Sequence, residues 1–124
     1  MKPGNVKSVM IVEEDPGYRM LLNKILKNLD CYVSGESNGG DEAVSMYDRK
    51  RPDIVLLDIL LPQKYGLEIL KKIRQLDPSQ IVIMLTAESD QETVQSCITA
   101  GATGYILKTD SANEIRDRIG KFVA

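Results

Sequence analysis

The chain has 124 residues, 43% of them hydrophobic and 27% charged, with a formal net charge of −2. That length is one domain's worth, able to bury a core without disulfides or structural metals, so a single domain over 1–124 is expected. The charge balance argues against direct nucleic-acid binding, because Lys and Arg are scattered and the densest cluster, Arg49-Lys50-Arg51, is short and followed by Pro52.

Val9-Met10-Ile11-Val12 is a continuous apolar run that stops at charge, and it predicts a strand covered on both faces. Tyr18, Leu21, Leu22, Ile25, Leu26 and Leu29 then recur at helical spacing, forming one stripe of an amphipathic helix whose first turn suits Pro16. Cys31-Tyr32-Val33 predicts a weaker strand. Asn38-Gly39-Gly40 makes a loop before a helix with Ala43, Val44 and Tyr47, and Pro52 stops that element. Ile54-Val55-Leu56-Leu57 is a central strand. A loop with Pro62 and Gly66 leads to a helix carrying Leu67, Leu70 and Ile73, which Pro78 ends. Ile81-Val82-Ile83-Met84-Leu85 is the next strand.

Ser89 with Glu92, and Ser111 with Glu114, have capping-box spacing, so each predicts a helix start. Between them Gly101-Ala102-Thr103-Gly104 leads into a strand around Tyr105-Ile106-Leu107. The last helix presents Ile115, Ile119 and Phe122. Strands alternating strictly with helices favour a parallel sheet with helices on both faces, joined by right-handed crossovers. No apolar run approaches a membrane span and no signal-peptide core opens the chain, so a cytoplasmic location is expected. Cys31 and Cys97 then read as buried free thiols.

In such sheets ligands bind beyond the carboxyl ends of the strands. Glu13, Glu14 and Asp15 follow the first run, Asp58 the third, Thr86 the fourth and Lys108 the fifth. Carboxylates crowded into one crevice repel one another unless a cation joins them. Lys108 supplies one charge, and Mg²⁺, which takes few carboxylates and keeps waters, suits the rest. Asp58 is then a candidate nucleophile toward phosphorus, with Lys108 and the Thr86 hydroxyl offsetting the incoming charge. Any one of these residues alone is more often a cap, a loop residue or a surface charge. Their joint placement carries the reading.

Four stretches, VMIVEEDPGYRMLL, RPDIVLLDILLPQKYGLEIL, IVIMLTAESD and AGATGYILKTDSANEI, resemble the receiver domain of two-component response regulators. The last stretch is most similar to receivers that carry a helix-turn-helix output domain. The resemblance implies a flavodoxin-like α/β fold with a five-stranded sheet in the order 2-1-3-4-5. It implies phosphorylation of Asp58, with Mg²⁺ or alternatively Mn²⁺ held by Glu13, Glu14, Asp58 and the carbonyl of Leu60. Thr86 would be the switch hydroxyl, Lys108 the phosphate-binding lysine and Tyr105 the aromatic that turns inward. The donor would be a histidine kinase or phosphotransfer protein. A downstream protein, or a second copy of the chain, would dock on the face of the fourth helix, fifth strand and fifth helix. Such a chain catalyses only its own phosphorylation and dephosphorylation.

The sequence departs from the family pattern at four places. Glu14 stands where Asp is usual, and its extra methylene changes the geometry offered to a metal. Thr109 replaces a proline that follows the lysine in a cis peptide; a non-proline cis bond costs about 3 kcal/mol, so a trans bond and a displaced Lys108 are expected. Gln63-Lys64-Tyr65-Gly66 replaces a Gly-rich loop bearing an Asp. Leu60 is apolar where some receivers carry a polar residue that positions hydrolytic water, which predicts slow phosphoryl loss modulated by Glu88. A phosphorylation-independent interaction domain on the same fold is the alternative. An Asp-nucleophile phosphatase is more remote, since it wants a second Asp at the position of Leu60.

Overall fold

Odd and even positions in the apolar runs have different neighbours, and that division builds the fold. A computed structural model describes residues 6–61, 66–87 and 91–123. The strands are β1 (Ser8–Val12), β2 (Tyr32–Ser37), β3 (Ile54–Asp58), β4 (Ile81–Thr86) and β5 (Gly104–Leu107). The helices are α1 (Pro16–Asn28), α2 (Asp41–Lys50), α3 (Gly66–Leu76), α4 (Gln91–Thr99) and α5 (Ala112–Gly120). All strand pairs are parallel, in the order β2-β1-β3-β4-β5. This is the expected flavodoxin-like arrangement.

Val9 and Ile11 of β1, Ile54 and Leu56 of β3, Ile83 and Leu85 of β4 and Ile106 of β5 pack with Leu22, Ile25 and Leu26 of α1 and Ile115 and Ile119 of α5. Met10, Val12, Val55, Leu57, Val82 and Met84 pack on the other face with Ala43 and Tyr47 of α2, Ile69, Leu70 and Ile73 of α3, and Cys97 of α4. Successive strand residues point to opposite faces, so a strand clothed on both sides must be apolar throughout. This is why β1, β3 and β4 read as unbroken runs.

β2 extends to Ser37, beyond the 31–33 expected. It lies at the sheet edge, and its partly exposed Ser34, Gly35 and Glu36 left no apolar signal. The register slips between Val9 and Met10 where β1 meets β2. Pro16 does open α1, and Asp15 caps it by accepting from the Gly17 amide at 3.1 Å. The Ser111–Glu114 capping box is formed in both directions. Gly39 (φ 110°) and Gly40 (φ 69°) hold the turn into α2 in backbone conformations that disfavour a Cβ. Phe122 lies just past α5 and is half-buried. Ser89, Glu88, Pro62 and the 63–65 segment, including Lys64, lie outside the described residues.

Both cysteines are free, but only Cys97 is buried. Cys31, just ahead of the edge strand, is half-buried, which corrects the expectation of two buried thiols. At the amino-terminal edge of the sheet, Ser8 and Asp53 exchange backbone-to-side-chain bonds at 2.8 and 3.0 Å. There the buried Tyr47 hydroxyl donates to Gln80 Oε1 at 2.9 Å, and Gln80 Nε2 donates to the Asp53 carbonyl at 3.1 Å. This network ties α2 to the strand starts on the side away from the acidic residues.

Candidate functional site

A cleft of about 430 Å³ opens at the carboxyl ends of the strands, with Glu13, Glu14, Asp58, Leu60, Thr86 and Lys108 among its walls. The strand alternation divides these residues. Glu13 continues the Val9, Ile11 side of β1, Asp58 the Ile54, Leu56 side of β3, and Lys108 the Ile106 side of β5. All three belong to the α1/α5 face. Thr86 continues the Val82, Met84 side of β4, and Tyr105 packs against that same cluster, on the opposite face. Charge chemistry and the expected switch residues thus meet the sheet from different sides.

Asp58 is 4% exposed. Its Oδ1 accepts from the Leu60 amide at 3.2 Å, and its Oδ2 accepts from Lys108 Nζ at 2.7 Å. Glu13 is 1% exposed. Its backbone amide donates to the Ser37 carbonyl at 3.0 Å, and its Oε2 accepts from the Asp15 amide at 3.0 Å. Its Oε1 is paired with the Lys108 ammonium at 2.5 Å. One ammonium therefore bridges two buried carboxylates on β1 and β3. Burial pushes the Glu13 carboxyl above its ordinary value, and the neighbouring Asp58 adds to this despite the opposing bonds from Lys108 and Asp15. Desolvation works against the Lys108 charge, but the bonds to Asp58 and Glu13 outweigh it and hold the ammonium protonated.

The Lys108–Thr109 peptide is trans, as expected. The Lys108 amide donates to the Thr86 carbonyl at 2.8 Å, which fixes the start of the side chain, and the ammonium reaches the carboxylates. Glu14 lines the cleft from an exposed position. Thr86 is 2% exposed, and Leu60 is 53% exposed. Tyr105 is half-buried, with the Arg118 guanidinium 5.6 Å above its ring. Tyr18 of α1 was read from the sequence only as part of a helical stripe, yet its ring lies 5.1 Å from the Lys108 ammonium.

The site offers a metal oxygen donors, among them those of two buried carboxylates, Glu13 and Asp58. Among the described residues no three Asp, Glu, Cys or His side chains gather around one point. Few protein ligands and room for waters fit a hard dication of the Mg²⁺ kind better than one that wants a full protein cage.

The chain belongs to the response regulator receiver domain family, whose sequence model matches residues 9–120. Receivers are signalling domains that accept phosphoryl groups, distinct from metabolic enzymes. The chemotaxis protein CheY of Thermotoga maritima is 34% identical over 115 residues, covering 93% of this chain and 96% of that protein. Sporulation initiation phosphotransferase F of Bacillus subtilis is 32% identical over 117 residues, covering 94% of each. Among solved structures, a chain of the CheX–CheY–BeF₃–Mg²⁺ complex from Borrelia burgdorferi superposes with a TM-score of 0.89 at 27% identity, over 95% of this chain and 90% of that one. Among the described residues, no helix is long and apolar enough to cross a membrane.

Proposed function

We propose that this chain, acting as one receiver unit over 1–124, accepts a phosphoryl group on Asp58 from a histidine kinase or phosphotransfer protein. The observation that carries this is the Lys108 ammonium bridging Asp58 and Glu13. A buried carboxylate held beside a fixed cation is available to attack phosphorus, and the cation then meets the charge that arrives. The Asp58 oxygen bonds to phosphorus as the donor's bond to it breaks. Glu13, Asp58, the Leu60 carbonyl and the more exposed Glu14 would hold Mg²⁺, or Mn²⁺ in its place, which would screen the carboxylates and polarise the phosphoryl oxygens.

Thr86 faces the α4 side of the sheet, as does Tyr105 in the next strand. A hydroxyl drawn toward the phosphoryl group would free space on that side for Tyr105 and shift the populations of the α4-β5-α5 surface, where a downstream protein or a second copy would dock. Incubation with Mg²⁺ and acetyl phosphate, followed by intact mass, tests the acceptor. One phosphoryl mass is gained by the wild-type chain and not by Asp58→Asn.

A second reading, an interaction domain that works without phosphate, is favoured by one observation: Glu14, one of the expected metal ligands, is exposed. Amide shifts at Glu13, Glu14 and Asp58 on Mg²⁺ titration support the first reading, and a silent titration supports the second.

A further inference from the structure

Lys108 has four methylenes and starts at the end of β5, yet its ammonium reaches the tips of β3 and β1, past β4. A lysine stem that long has many rotamers, and ordering it costs conformational entropy. The two carboxylates draw the ammonium from one side, and a wall beside it would keep it there.

Tyr18 lies in the first turns of α1 and is packed against the α1/α5 core. Its ring is 5.1 Å from Lys108 Nζ, within range for attraction between a cation and an aromatic face. Its hydroxyl is buried and has no hydrogen-bond partner among the described residues. An orphaned hydroxyl is unfavourable, so packing of the ring, rather than bonding of the oxygen, accounts for this side chain's place. Burial raises the phenol's pKa, with the charges of Glu13, Asp110 and Asp58 adding to it, so the ring stays neutral beside the ammonium.

We propose that Tyr18 is a positioning residue, its ring forming the wall that holds the Lys108 ammonium between Glu13 and Asp58. The role lies in the aromatic face, so Phe serves as well as Tyr and an aliphatic side chain does not. The kinetic consequence rests on the phosphoryl-acceptor reading above; the structural consequence does not.

The two are tested separately. Carbon-13 NMR of the full chain reads the ε-methylene of Lys108, assigned by its loss in Lys108→Arg. In the wild type and in Tyr18→Phe, ring current displaces that signal upfield of the other lysines. In Tyr18→Leu and Tyr18→Met it returns to the common lysine position. Phosphorylation by acetyl phosphate with Mg²⁺ then proceeds at nearly the wild-type rate in Tyr18→Phe and about three- to tenfold more slowly in the ringless variants. A wild-type Lys108 signal at the common lysine position overturns the proposal, without needing any variant to fold. So does a Tyr18→Phe that loses as much as Tyr18→Leu. If the wild type gains no phosphoryl group but keeps the displaced signal, the acceptor reading fails and the positioning of Lys108 stands.

Discussion

Lys108 Nζ lies 2.7 Å from Asp58 Oδ2 although β4 separates the strands that carry them, and the same ammonium contacts Glu13. Removing it leaves two buried carboxylates facing each other with no cation between them. One of them must then bind a proton or the site must open. Lys108→Met is expected to lose about 2 kcal/mol of stability in metal-free buffer, read by urea denaturation in EDTA. Mg²⁺ should restore part of that loss, because it offers the same carboxylates another cation. Unchanged stability in EDTA would show that the bridge contributes nothing.

The buried hydrogen bond from Tyr47 to Gln80 belongs to the opposite edge of the sheet. Tyr47→Phe leaves Gln80 Oε1 without this donor in a site closed to water, an expected cost of about 1–3 kcal/mol. Phosphorylation of Asp58 should be untouched, since nothing in this network reaches the cleft. A urea titration beside the acetyl phosphate assay separates the two effects. A large rate loss with little change in stability would mean the two edges are coupled.

Most of this architecture was legible because fully covered strands must be apolar on both faces. The runs at 9–12, 54–57 and 81–85 could hardly be anything else. β2 was legible only at its start, because an edge strand needs no apolar filling beyond Val33. Glu13, Asp58, Thr86 and Lys108 were legible as a list, since each directly follows an apolar run. Their division between two faces was also present, in the phase of each residue along its own strand, but only strand ends known to the residue reveal it. The expectation of a displaced Lys108 was argued from the backbone at Thr109, but the side chain is long enough to bring the ammonium to Asp58 and Glu13 across a trans bond. Tyr18 looked like ordinary helix stripe, and no local signal marks a ring that meets a lysine ninety residues away.

Glu114 answers to pH in a predictable direction. Hydrogen bonds from the Ser111 backbone and side chain hold its carboxyl below the ordinary value of 4.5. A carboxyl lowered on folding contributes stability that is fully present above its unfolded value and is lost as pH falls through the folded one. Glu114→Ala should therefore melt below the wild type at pH 6, and the gap should narrow as pH drops below 4.5. A gap that stays constant down to pH 3 would mean that the charge of this carboxylate plays no part in the cap.

Gly66 opens α3 directly against the end of β3. Its amide donates to the Ile59 carbonyl at 2.7 Å. A Cβ built there would overlap the Asp58 carbonyl oxygen and stand 2.8 Å from Ile59 Cα. These are backbone atoms, so no side chain can rotate away, and either α3 or the 58–60 segment must move. Gly66→Ala is expected to cost about 3 kcal/mol, read by urea denaturation. The displacement falls on the segment where the Leu60 amide bonds Asp58 Oδ1. The variant should therefore also bind Mg²⁺ more weakly and phosphorylate more slowly than its remaining folded fraction accounts for. Assaying at low temperature, where that fraction is near complete, isolates the second effect. A folded Gly66→Ala with wild-type metal affinity would show that α3 yields and the 58–60 segment does not.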